Sequence, residues 1–73
     1  MATTPLQRDA LATAISSEIR ARDLYREVAG RIKSKSGKRR LERLARDEDG
    51  HRAALEGRYR ALSGSAFVVD PAA

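Results

Sequence analysis

The residues with chemistry in them are Glu48-Asp49-Gly50-His51, in the middle of a long helical pattern. A carboxylate and an imidazole three residues apart lie on one side of a helix, about one turn from each other. That side should be the buried one, where Leu, Ile, Val or Ala is usual, so a Glu and a His there cost desolvation energy unless something pairs with them. Thirty residues earlier, Glu18 sits on the apolar face of another helical pattern. Carboxylate oxygens and an imidazole nitrogen suit iron or manganese, and zinc can also bind. Glu18, Glu48 and His51 read as metal ligands and as half of a two-metal site.

Two helices must position them. Thr4-Pro5-Leu6-Gln7 is a good helix start, with Thr4 as cap, Pro5 at the first helical position and Gln7 completing a capping box. Leu11, Ile15, Glu18, Arg22, Tyr25, Ala29 and Ile32 then alternate at fours and threes, the seam of a helix packed in a bundle. Lys33-Ser34-Lys35-Ser36-Gly37-Lys38 interrupts the pattern, and Gly37 supplies a turn. The second helix should run from about Lys38 to Leu62, with Leu41, Leu44, Glu48, His51, Leu55, Tyr59 and Leu62 as its stripe. Ser63-Gly64-Ser65 ends it, and Pro71 closes a short apolar tail. The expected architecture is all-α: residues 1–62 form an antiparallel two-helix hairpin, and residues 63–73 a flexible C-terminal tail.

Counting from the turn brings the three candidates together. Glu18 stands fifteen residues before Lys33 and His51 fifteen residues after Ser36, with Glu48 one turn lower. In an antiparallel hairpin they share nearly one height, close to the helix midpoints. A two-fold axis perpendicular to a four-helix bundle crosses it at mid-height, so residues there meet their own copies. A di-iron carboxylate site in such a bundle takes a Glu from each of two helices and a Glu-x-x-His from each of the other two. One chain offers one of each, so the count fits a homodimer and not a monomer. The plainer alternative is a structural cluster, in which Glu18 and Glu48 satisfy a core histidine and specify register.

Other features have two readings each. Tyr25 is expected in the core with its hydroxyl on a partner, or beside the metals as a relay. Arg22 either offsets carboxylate charge beside the metals or extends outward along a bundle edge. Ala10, Ala14, Ser17 and Ala21 on the first helix, and Gly50, Ala54, Gly57 and Ala61 on the second, form stripes of small residues. Gly50 and Gly57 each cost a helix about 1 kcal/mol relative to Ala. Close packing against another subunit is one compensation.

Composition narrows the classes. A single hairpin of 73 residues has little core, and chains this short often need disulfides, metal or oligomerisation. The absence of Cys excludes disulfides, thiolate zinc sites and iron–sulfur clusters. No signal peptide is visible and no apolar stretch approaches a membrane span, so a cytoplasmic protein without a membrane partner is expected. The net charge of +5 permits nucleic-acid binding without establishing it. Arg31, Lys33, Lys35, Lys38, Arg39 and Arg40 form the densest basic run. It reads as a solvated hairpin tip, since no aromatic residue interleaves it for base stacking and nucleic acid is not the expected partner.

Glu18, Tyr25 and Arg46-Asp47-Glu48-Asp49-Gly50-His51, followed by Arg52-Ala53-Ala54-Leu55, resemble the ferritin-like, rubrerythrin-type superfamily. The short interval from Glu18 to Glu48 is more similar to encapsulated ferritins, in which a two-helix chain dimerises to build the bundle and its iron site. The resemblance implies that Glu18, Glu48 and His51 ligate a dinuclear iron centre, one per dimer, which oxidises Fe(II) with dioxygen or peroxide for iron storage or detoxification. It also implies a higher ring-like oligomer and location inside an encapsulin shell. The sequence departs from the pattern in several places. Ser17 and Arg20 replace the acidic residues that line the metal path, Leu24 stands where a Trp is usual, and the tail has no clear shell-docking peptide. A rubrerythrin-type peroxidase with its own rubredoxin centre is excluded by the missing Cys. From a different class, the chain reads as a basic helical-hairpin binding protein, for an anion or nucleic acid, whose Glu/His cluster is structural.

Overall fold

The computed structural model describes residues 5–69. Helix α1 spans Pro5–Arg31 and helix α2 spans Lys35–Ser63; they pack antiparallel along their length as an all-α hairpin about 50 Å long. Pro5 opens α1, where its missing N–H costs nothing. The expected cap at Thr4 and the closing Pro71 lie outside the described residues.

The link is shorter than the basic run suggests. Only Ile32, Lys33 and Ser34 lie between the helices, and α2 begins at Lys35 rather than near Lys38. Ser34 takes the capping position in extended backbone, and its Oγ accepts from the Gly37 N–H at 3.1 Å. Gly37 therefore belongs to the first turn of α2 and is not the turn itself. Its missing side chain still matters: a Cβ there would meet Ile32 Cδ1 at 3.1 Å and Ser34 Oγ at 3.3 Å. At the far end Gly64 has φ 78°, and its N–H closes on the Arg60 carbonyl at 2.9 Å. That left-handed cap is why the helix stops after Ser63.

The seam of α1 is as the spacing predicts. Ile15 is fully buried, Ala29 nearly so, and Leu11, Glu18, Arg22, Tyr25 and Ile32 are half-buried. On α2 the buried line is rotated from the expected stripe. Ala45 is buried and Arg52 half-buried, whereas His51, Leu44 and Leu62 are exposed. At about 100° per residue, Leu44, His51 and Leu62 share one edge of the stripe, and Leu41, Ala45, Arg52 and Tyr59 share the other. Helix α1 covers the second edge and leaves the first bare.

The two broad faces of the hairpin consequently differ. On one, the tail turns back and sets the Phe67 ring edge-on against Tyr59, with centroids 5.5 Å apart. The other carries the small-residue stripe of α1, whereas Gly50, Ala54, Gly57 and Ala61 lie on the side of α2 turned away from α1. On α1 the stripe Ala10, Ala14, Ser17, Ala21 continues at threes and fours into Leu24 and Val28, both exposed. On α2 this face shows Leu44, His51 and Leu62, and a shallow groove lined by Gln7, Ala10, Leu11, Arg58, Ala61 and Leu62 crosses from one helix to the other. Nothing within the chain approaches a Cβ built at Gly50 or Gly57 within 4 Å. Packing inside the chain therefore does not explain those glycines.

Candidate metal centre

Glu18, Glu48 and His51 converge. One donor atom from each lies within 4.8 Å of the others. His51 Nδ1 is 3.4 Å from Glu48 Oε1 on its own helix and 3.6 Å from Glu18 Oε2 on α1. The sequence placed them by two local rules, the three-residue spacing within α2 and equal distance from the link. Both hold with the observed helix ends: Glu18 stands thirteen residues before Arg31, and Glu48 and His51 thirteen and sixteen after Lys35.

Their environments are unequal. The side chains of Glu18 and Glu48 are about a fifth to a quarter exposed, while that of His51 is 62% exposed. His51 was expected on the buried stripe; it lies instead at the bare edge, pointing its donor back at the two carboxylates. Glu18 Oε2 is buried and has no hydrogen-bond partner. A buried acceptor without a donor is costly, and a cation held between the carboxylates and the imidazole removes that cost. The Glu48 carboxyl is pushed above its usual range. The first cause is the adjoining Glu18 carboxyl, to which a protonated Glu48 can hydrogen-bond; partial burial and repulsion by the Glu18 charge follow, and His51 pulls it partly back. A Glu48 carboxyl that resists ionisation beside Glu18 is a suitable seat for a metal ion, which replaces the proton as the neutralising charge. The residues present therefore fit a metal ion by donor chemistry and by the orphaned oxygen.

Beside this cluster runs a second, structural one. Arg22 Nη1 donates to Asp49 Oδ1 at 2.8 Å, tying α1 to α2 at the height of the site, and Arg22 Nε donates to Asp23 at 3.0 Å. Arg52 Nε donates to the same Asp49 oxygen at 2.9 Å, and its guanidinium continues to Glu56. The two guanidinium groups, Arg52 first and Arg22 second, hold the Asp49 carboxyl at about 2, well below the carboxylate range. Arg22 thus neither faces Glu18 and Glu48 nor runs free along an edge; its guanidinium is spent on Asp49 and Asp23. Tyr25 is half-buried two turns along the same stripe as Glu18. The Asp49–Arg52–Glu56 chain was missed in the sequence, although spacings of three and four residues between opposite charges announce such pairs. Its link to Arg22 depends on helix rotation and has no local signal.

No curated protein and no solved structure matches the chain. A model of the rubrerythrin family does match, over residues 9–72, which takes in both helices and all three clustered ligand candidates; with its two-helix fold and its Glu/Glu/His group, the chain belongs to the rubrerythrin family.

Proposed function

We propose that this protein is a ferroxidase whose dinuclear iron site forms across a homodimer interface, in the manner of encapsulated ferritins. The observation that carries the proposal is the convergence of Glu18, Glu48 and His51 at mid-height, with His51 on the bare edge of the hairpin. Three protein donors leave a metal ion under-coordinated, and a second copy related by a two-fold axis at that height supplies the other Glu and Glu-x-x-His. The bare face suits such a partner. It is apolar and lined with small residues, and the three well-buried side chains Ile15, Ala29 and Ala45 make a thin core for a hairpin of this length.

When bound, a pair of ferrous ions supplies two electrons to dioxygen or peroxide and becomes ferric. Within the protein, Glu18, Glu48 and His51 would hold the metal, the two carboxylates supplying negative charge and the imidazole a neutral donor, and the Arg22–Asp49 link would hold α2 in rotation so that Glu48 stays opposite Glu18. Glu48, already disposed to keep its proton, would release it as metal enters. A two-helix chain encloses no storage cavity, so iron storage would require a larger assembly; a ring of dimers within an encapsulin shell is the assembly that the resemblance favours. The residues that would carry a cytoplasmic role need no membrane, and no described helix is long and apolar enough to cross one.

The test combines native mass spectrometry with an oxidation assay. Anaerobic Fe(II) should shift the chain toward dimers holding two irons, and exposure to dioxygen should give Fe(III) at a rate that follows the dimer fraction. A strictly monomeric, folded chain that binds two irons would refute the shared site. A dimer that binds no iron would favour the structural Glu/His cluster and, with it, a binding protein.

A further inference from the structure

The charge of this chain is segregated. From Arg31 to Arg46 there are eight Lys and Arg residues and one carboxylate, Glu42; the rest of the chain has seven cations and nine carboxylates. The net positive charge therefore sits entirely at one end of a 50 Å rod. Along the rest of the hairpin Arg22 is paired with Asp49 and Asp23 and Arg52 with Asp49 and Glu56, the remaining five cations are set against nine carboxylates in the sequence, and Arg31, at the edge of the tip, is paired with Glu27. From Lys33 to Arg46 no cation has an ion pair among the described residues, and all are exposed.

Part of this arrangement opposes the fold. Lys35 and Lys38 stand in the first turn of α2, and Arg39 follows directly; that turn contains no acidic residue. A helix N-terminus is the positive end of the macrodipole, where carboxylates stabilise and cations destabilise. The sequence thus adds positive charge where the backbone already supplies it, and leaves it unpaired. Such a surface is stabilised by an anionic partner.

Against the sequence expectation of a merely solvated tip, and on the ground of these unpaired cations at the start of α2, we propose that the hairpin tip docks on the phosphate backbone of duplex nucleic acid through Lys33, Lys35, Lys38, Arg39, Arg40 and Arg43. The chemistry of the tip selects this occupant. No aromatic side chain lies between Arg31 and Arg46, which removes base stacking and with it the usual grip on single strands. Ile32 and Leu41, the apolar residues nearest the link, are half-buried in the seam, and the nearest exposed ones, Val28 and Leu44, stand back from the link behind Lys33, Lys35 and Lys38, so no apolar anchor leads at the tip for insertion into a lipid surface. What remains is a compact set of exposed cations around a helix N-terminus, matched to a partner that presents about one negative charge per 1.7 Å of axis. Contact is with backbone only and is independent of base sequence. Lys33 and Lys35 lie about fifteen and thirteen residues, roughly 20 Å, from Glu18 and Glu48, and Arg43, the nearest of the set, about five residues or roughly 8 Å; the inference does not depend on the ferroxidase reading.

The experiment measures binding of the full chain to a fluorescent 30-base-pair duplex of mixed sequence between 50 and 200 mM salt. Neutralising about five phosphates predicts an affinity that falls about 500-fold over that range. The triple variant Lys35→Gln, Lys38→Gln, Arg39→Gln should bind at least tenfold more weakly at 50 mM salt and show a shallower salt dependence. Its thermal midpoint should be unchanged or higher, because the removed charges opposed the helix dipole. If that variant fails to fold, Lys33→Gln, Arg40→Gln, Arg43→Gln takes its place. A control of equal net charge, Arg8→Gln, Arg20→Gln, Arg60→Gln, should keep wild-type affinity. The proposal is overturned if the wild type does not bind at 50 mM salt, or if the control loses binding as much as the tip variant. It is also overturned if poly-glutamate or vesicles of anionic lipid compete as well as the duplex, which would assign the tip to an acidic protein or to a membrane surface.

Discussion

Replacing His51 by Ala tests the metal centre through stability, without relying on turnover. In a two-fold dimer the substitution removes an imidazole from each half of the site and leaves the core intact, since the His51 side chain is 62% exposed in the chain. Metal that binds only the folded, assembled state stabilises it by mass action. With free metal at about a thousand times the dissociation constant, the gain is about 4 kcal/mol. For an assembly of about 150 residues each kcal/mol moves the melting midpoint by about 2–4 °C, so the wild type should rise by about 8–16 °C. If loss of both imidazoles weakens the site a hundredfold, the same metal concentration leaves the variant about 1.4 kcal/mol, a rise of about 3–6 °C. The assay is a thermal melt followed by circular dichroism, in anaerobic Fe(II) and separately in redox-inert Zn(II), at fixed chain concentration. Without metal the two proteins should melt together within about 2 °C. The reasoning fails if metal stabilises wild type and His51→Ala equally, or if the metal-free variant is clearly the less stable of the two. The second result would mean that His51 satisfies the carboxylates structurally.

Glu48→Gln should leave the metal-free protein as stable as wild type or more so near neutral pH. A carboxyl whose folded pKa is raised lends its stability at low pH and loses it as pH rises through that value, so the advantage of the variant should vanish on acidification. Asp49 behaves oppositely. Its folded value near 2 lies below its ordinary 3.8, so its stabilisation is present above about 4 and lost as pH falls toward 2; Asp49→Asn should flatten the acid limb of the stability curve in that window. Ile15→Ala removes the one fully buried large side chain and should cost about 2–5 kcal/mol by denaturant titration. Gly57→Ala meets open space among the described residues, so it should stabilise the chain by up to about 1 kcal/mol in a denaturant titration.

The sequence by itself determined the two helices, the seam of α1 and the meeting of Glu18, Glu48 and His51. Each follows from short-range periodicity: a three-and-four spacing marks a helix face, and equal counts from a link mark equal heights in a hairpin. Locally ambiguous signals were misread at the link, where Ser34 could be either a loop residue or a cap, and Gly37 either a turn or the first turn of a helix. Only the tertiary structure decided which edge of the α2 stripe is covered. A stripe of apolar and charged residues spans a wide arc of the helix, and a single partner helix covers part of it. Ala45 and Arg52 fell on the covered edge, and Leu44, His51 and Leu62 on the bare one. The same rotation brought Arg22 within reach of Asp49 and left Glu18 Oε2 without a partner. Spacing along one chain specifies the angle between its own side chains, but the rotation of one helix against another is set by packing between residues far apart in sequence, here Arg22 and Asp49 across twenty-seven positions.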